Sequence, residues 1–113
     1  MNDPLGRWPL RRLRVRGPSM APTLSDGDIL LVRPHADVNP GSIVLVRWPS
    51  RPGQLSVKRA LRQQDHGWFV VGDNTFGSTD SRELGPADVL GVAMCRLWPS
   101  PSLLATREQK WGR

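Results

Sequence analysis

The stretch "NPGSIVLVRWP", residues 39–49, decides how this chain is read. A Pro-Gly turn opens it, a run of β-branched and aliphatic residues from Ile43 to Val46 follows, and Pro49 closes it, the punctuation of a short strand rather than a helix. "DGDILLVRP" at 26–34 has the same form, a turn and then an apolar run ended by Pro34. "QLSVKRALR" at 54–62 follows the turn "RPGQ" and alternates, with Leu55, Val57 and Leu61 on one side and Ser56, Lys58 and Ala60 on the other. "DHG" at 65–67 turns the chain into "WFVVGDN" at 68–74, and "DVLGVAMCRLWP" at 88–99 reads as a last strand, in which Gly91 marks a bulge or a close approach. A first strand is expected near Leu13 to Val15, and residues 75–87 read as a polar loop. About five short strands with turns every ~10 residues predict an all-β fold, a small curled antiparallel sheet or partly open barrel.

The totals agree with one small domain. The chain has 113 residues, 38% of them apolar, with eleven glycines and eleven prolines. Residues 1–12 form a basic arm broken by Pro4 and Pro9, residues 13–99 the domain, and residues 100–113 a tail with Trp111 that stays loose until something docks it. The single cysteine, Cys95, excludes an internal disulfide and fits a reducing compartment. No run approaches the ~18 apolar residues that span a membrane. The basic start has no apolar stretch behind it to make a secretory signal, so the expectation is a soluble, cytoplasmic protein. The net charge of +6 is carried almost wholly by arginine, since Lys58 and Lys110 are the lysines. That balance admits weak contact of the arm with an anionic membrane surface, but an arginine-rich composition without a partner is the plainer reading, and no nucleic-acid partner is expected. His35, His66 and Cys95 make a poor ligand set, so no metal or other cofactor is expected.

Chemistry is concentrated in three segments. In "GPSMAPTL", residues 17–24, Ser19 is either a turn residue or a nucleophile on a stiff loop. A serine nucleophile needs a base, and both histidines sit in turn-like settings. Lys58 lies in mid-strand on a face otherwise made of the small Ser56 and Ala60. A lysine acts as a base only when neutral, and burial without an acid partner lowers its pKa. Moving it from about 10.4 to about 8 corresponds to roughly 3 kcal/mol. The plainer alternative is a strand lysine reaching out to solvent. The third segment is "GDNTFGSTDSR", residues 72–82. Gly72 there can admit another backbone, Asp80 and Arg82 can pair, and Ser78 or Ser81 can orient a lysine.

Taken together, these segments resemble the catalytic domain of type I signal peptidases. "SMAPTL" at 19–24 matches that family's nucleophile box, and "GDILLV" at 27–32 and "GSIVLV" at 41–46 are both similar to the box that follows it. "VKRA" at 57–60 is similar to the lysine box, and "GDNTFGSTDSR" fits the last box without a gap, with similarity running on to Pro99. The resemblance implies a Ser-Lys dyad, in which Ser19 attacks the scissile carbonyl and its N–H is one oxyanion donor. Lys58 is then general base and later general acid, and Ser78 orients Lys58. It further implies that Asp80 with Arg82 braces the loop, that Asp73 pairs with Arg59, that Gly72 admits a close neighbour, and that Met20, Pro22 and Ile29 shape a pocket for small side chains. Some members carry a hydroxyl two residues before the nucleophile, where this chain has Gly17. Residues before Ser19 are rich in arginine and proline where the family has a membrane anchor, "LRQQDHG" at 61–67 replaces a common G-x-P-G-D turn, and Thr75 stands where arginine often follows G-D-N. There is also no room between Lys58 and Gly72 for a second, inserted β-domain.

A short, anchorless chain of this kind is similar to the maturation proteases of nickel-type superoxide dismutase. That resemblance implies a partner: the dismutase precursor, whose leader is removed in the cytoplasm to free a metal-binding N-terminus. Processing of other, secreted precursors is the alternative within the class. A self-cleaving domain of the phage-repressor type would want a helix-turn-helix and a cleavable linker before Ser19. A small β-barrel binding nucleic acid would stack bases on "RWP" at 47–49 or "RLWP" at 96–99.

Overall fold

The computed structural model describes residues 10–104. Strands β1 (Arg11–Arg14), β2 (Ile29–Pro34), β3 (Ile43–Arg47), β4 (Leu55–Gln64) and β5 (Gly67–Val71) are followed by a single helical turn, α1 (Ser81–Leu84). Strands β6 (Asp88–Trp98) and β7 (Ser102–Leu103) complete the chain. All pairings are antiparallel, in the order β1-β2-β6-β3-β4-β5, with β7 paired to Cys95 and Arg96 of β6, across from β2 and beyond the stretch that pairs β3. The expected all-β curled sheet is therefore what forms, and it is not closed into a barrel.

The run Ile43–Val46 shows why the sheet holds together. Ile43 and, half-buried, Leu45 point into one cluster with Val15, Met20, Leu24, Leu30, Val32 and Ala93. Val44 and Val46 point into the other, with Trp48, Ala60, Val70 and Ala87. A strand apolar at every position is one buried on both faces. The first cluster joins Leu13 of β1 to Val57 of β4, strands far apart in the sheet order, so the sheet must curl to build it. Breaks in register at Ile29/Leu30, Leu31/Val32, Leu45/Val46 and Ala60/Arg62 supply the bend. Gly91 is a close approach as expected: a Cβ there would stand 2.7 Å from Val32 Cγ1 and 2.9 Å from Arg33 O.

Several expectations change. The first strand begins at Arg11, so two arginines assigned to the arm are ladder residues opposite Val32 and Leu31. The loop at 75–87 contains α1, whose signals are Asp80 at the N-cap, accepting from Arg82 N–H, and Gly85 at the C-cap with φ 80°. Chain assigned to the tail is also in the fold, since Ser102 and Leu103 pair with Arg96 and Cys95 and Leu104 packs on the first cluster. The arm through residue 9 and the tail from 105, with Trp111, lie outside the described residues. His35 and His66 do occupy turns, in the left-handed region at φ 58° and 68°. Trp48 of "RWP" is buried and gives its indole N–H to Gly85 O at 2.8 Å, so it is not a surface for stacking bases.

Candidate active site

Ser19 sits on a tight turn between β1 and β2. Ala21 N–H bonds Pro18 O and Leu24 N–H bonds Met20 O. Gly17, at φ 83°, donates its N–H to Asp26 Oδ1 at 2.7 Å. Met20, 1% exposed, anchors the turn in the first core cluster, leaving Ser19 half-buried at the surface. The segment Gly72–Asn74 closes on this turn from the other side. Asn74 N–H bonds Ser19 O at 2.9 Å, Asn74 Nδ2 bonds Pro18 O at 3.0 Å, and Asp73 N–H approaches Met20 Sδ at 3.4 Å. Gly72 has no room for a side chain, because a Cβ would lie 2.5 Å from Ser19 O and 2.6 Å from Ser78 Cβ.

Lys58 lies opposite Val44 in the β3–β4 ladder and is 4% exposed. Its Nζ donates to Ser78 Oγ at 3.1 Å, and Ser78 Oγ donates in turn to Asp80 Oδ2 at 2.8 Å. Ser81 faces elsewhere, accepting from Val70 N–H at 2.9 Å, so of the two serines it is Ser78 that meets the lysine. Asp80 also accepts from Gly72 N–H and from both forks of Arg82, at 2.6 and 2.9 Å. Burial pushes the Asp80 carboxyl up, yet the hydrogen bonds from Arg82, Gly72 and Ser78 outweigh it and hold its pKa at about 2. Burial pushes the Lys58 amine below its usual range. The Asp80 charge opposes this and Arg82 adds to it, so the lowering prevails. Lys58 hydrogen-bonds Ser78 and not Ser19 in this state.

Ser19 and Lys58 nevertheless line one cleft, of about 570 Å³. Its apolar walls are Leu13 and Val15 from one segment and Leu45, Leu55 and Val57 from β3 and β4, and Thr79 also lines it. Both walls offer backbone. Val15 uses its N–H and C=O on Asp28 and Gly27, so by alternation Arg14 and Arg16 present theirs to the cleft. Pairing of β4 with β5 begins only at Arg59, which leaves the outer edge of Leu55–Lys58 open. Met20, Pro22 and Ile29, expected to shape a substrate pocket, are not among the lining residues: Met20 is in the core, Pro22 is exposed on the turn, and Ile29 pairs with Trp98. The walls come instead from two segments some forty residues apart in sequence.

Asp73 pairs with Arg59 at 2.6 Å, and the same oxygen accepts from Thr23 Oγ1 at 2.6 Å. Arg59 also reaches Gly41 O at 2.9 Å. This Thr23–Asp73–Arg59 chain ties the Ser19 turn to the strand that carries Lys58. Thr23 was not among the expected site residues, although it stands in the same "SMAPTL" box. Among the described residues no three metal-ligating side chains come together, and no helix is long and apolar enough to cross a membrane.

The Asp80 geometry has a measurable consequence. A carboxyl held at about 2 against an ordinary 3.8 contributes on the order of 2 kcal/mol of stability, fully present above about pH 4 and lost as pH falls through 2. Thermal melts are expected to place Asp80→Asn well below wild type at pH 7, with the gap narrowing between pH 4 and 2. A gap independent of pH would mean that the carboxylate charge is not what stabilises the loop.

The class of this curled-sheet domain comes from comparison: residues 9–94 match the family described as Peptidase S24-like. The chain belongs to that family. Among curated proteins it is 32% identical to mitochondrial ATP-independent inner membrane protease subunit 1a of Arabidopsis thaliana, over 82% of this chain and 73% of that protein. It is 30% identical to mitochondrial inner membrane protease subunit 1 of Xenopus tropicalis, over 86% of this chain and 74% of that protein.

Proposed function

We propose that this protease is a serine endopeptidase of the signal-peptidase type with a Ser19–Lys58 dyad, and that it removes the N-terminal leader of a precursor protein, that of nickel-type superoxide dismutase. The observation that carries the dyad is the setting of Lys58: it is buried, it shares a cleft with Ser19, and among the described residues its hydrogen bond goes to a hydroxyl, not to a carboxylate. The Ser78 proton is committed to Asp80, so Ser78 accepts from Lys58 and leaves the lone pair of the neutral amine free. That lone pair takes the Ser19 proton as Oγ attacks the scissile carbonyl. The Ser19 N–H stabilises the resulting oxyanion, and the Lys58 ammonium then protonates the leaving amine. In the second half Lys58 deprotonates water, which hydrolyses the acyl-enzyme and restores Ser19. The leader lies extended in the cleft, adding to the open strand edges, with its side chains on the apolar walls.

The dismutase precursor is the substrate of the subgroup that the chain resembles, and cytoplasmic action belongs to this reading, in keeping with the free Cys95. Processing of a different precursor is the second reading, favoured by the inner membrane proteases among the relatives. The test is the intact mass of a nickel-type dismutase precursor after incubation with wild type and with Ser19→Ala. A single product shorter by the leader, formed by wild type alone, is expected. An uncut precursor with folded enzyme removes the dismutase reading.

A further inference from the structure

Phe76 is 99% exposed, in a chain whose other phenylalanine, Phe69, sits beneath the Arg62 guanidinium at 4.2 Å. A single exposed apolar residue is ordinary in itself. Its mounting is what distinguishes this one. Phe76 N–H bonds Asn74 Oδ1 at 3.1 Å, and Gly77 N–H bonds Asn74 O at 3.2 Å. Asn74 is in turn fastened to the carbonyls of Pro18 and Ser19. The ring is thus carried on a loop latched to the Ser19 turn, and Gly77 keeps that loop close: a Cβ there would stand 2.9 Å from Asn74 Nδ2.

The loop that carries the ring also reaches the cleft. Residues 13–19 and 53–58 line it, and Thr79, three residues beyond Phe76 in the same loop, lines it together with Ser19 and Lys58. A peptide whose scissile carbonyl sits at Ser19 has its leader in the cleft, so the chain after the cut leaves past the 74–79 loop. We propose that Phe76 is a specificity-determining contact for the substrate chain just after the scissile bond, taking an apolar or planar side chain within its first two residues. This rests on Ser19 being the nucleophile. The loop is held in place before substrate arrives, so little ordering cost offsets the burial of the ring.

The experiment uses two precursors that differ only in the first two residues after the cut, leucine in one and aspartate in the other. Cleavage by wild type and Phe76→Ala is followed by mass spectrometry. Wild type is expected to favour the leucine precursor, and Phe76→Ala to lower kcat/KM for it by roughly tenfold, through KM, while leaving the aspartate precursor unchanged. Phe76→Leu should restore most of the loss. Equal effects on both precursors, or none on either, overturn the proposal while the peptidase reading stands. So does a loss confined to binding of phosphatidylcholine vesicles, which would make Phe76 a membrane contact. Both precursors left uncut by folded wild type would remove the dismutase reading, and this proposal, made for that precursor, with it.

Discussion

Replacing Lys58 by methionine is expected to abolish cleavage, as is replacing Ser19 by alanine, with kcat/KM falling by at least about 10⁴-fold in each if the two form the proposed dyad. The double variant should be no worse than either single one, because both remove halves of one proton transfer. Methionine keeps most of the buried stem and removes only the amine. Lys58 is 4% exposed with its amine pKa lowered, so below that pKa the fold carries a charge it would rather shed. Lys58→Met is therefore expected to melt no lower than wild type at pH 7, which separates a catalytic role from a structural one. The sign of the pH dependence follows from the same burial. On the proposed mechanism the neutral amine is the base, so the rate is expected to rise with pH through the Lys58 pKa and level off above it, with a midpoint below the usual lysine range. Full activity in Lys58→Met would end the assignment, and a rate that fell on raising the pH through neutrality would contradict the neutral-base role.

Gly72→Ala is the second large effect. The added methyl would meet Ser19 O at 2.5 Å and Ser78 Cβ at 2.6 Å, distances that side-chain carbons do not tolerate. One obstacle is backbone and the other a two-atom side chain fixed by Asp80, so neither can swing aside cheaply. The segment must back away from the nucleophile turn, breaking the Asn74 N–H bond to Ser19 O and shifting Ser78 away from Lys58. A misplacement of this size is expected to cost on the order of a hundredfold in kcat, with about 1–3 kcal/mol of stability lost to overpacking. Steady-state kinetics beside a thermal melt reads both. Unchanged kcat in Gly72→Ala would show that the approach of Gly72 to Ser19 does not govern the site.

The short run Ile43–Val46 could be read as a strand because every position is apolar and turn residues bound it, and such a pattern is local. The lysine candidate was legible for a similar reason: in a chain so poor in lysine, one placed in mid-strand between small residues stands out. The helical turn Ser81–Leu84 was missed inside a polar loop, since four residues give no periodicity and only the Asp80 and Gly85 caps announce it. Choosing between Ser78 and Ser81 was beyond local pattern as well, because an irregular loop has no period that says where a hydroxyl points. Met20 shows the limit most plainly. An apolar residue beside a nucleophile suits a substrate pocket and a core equally, and only packing against Leu24 and Leu30 sends it inward. The cleft walls at Leu13, Val15, Leu55 and Val57 were invisible as a set, for they meet only when the sheet curls. Turns, strands and candidate groups are thus written in neighbouring residues, through backbone sterics and alternation. Which groups face one another depends on ladder register and curl, which arise from burying two core clusters at once.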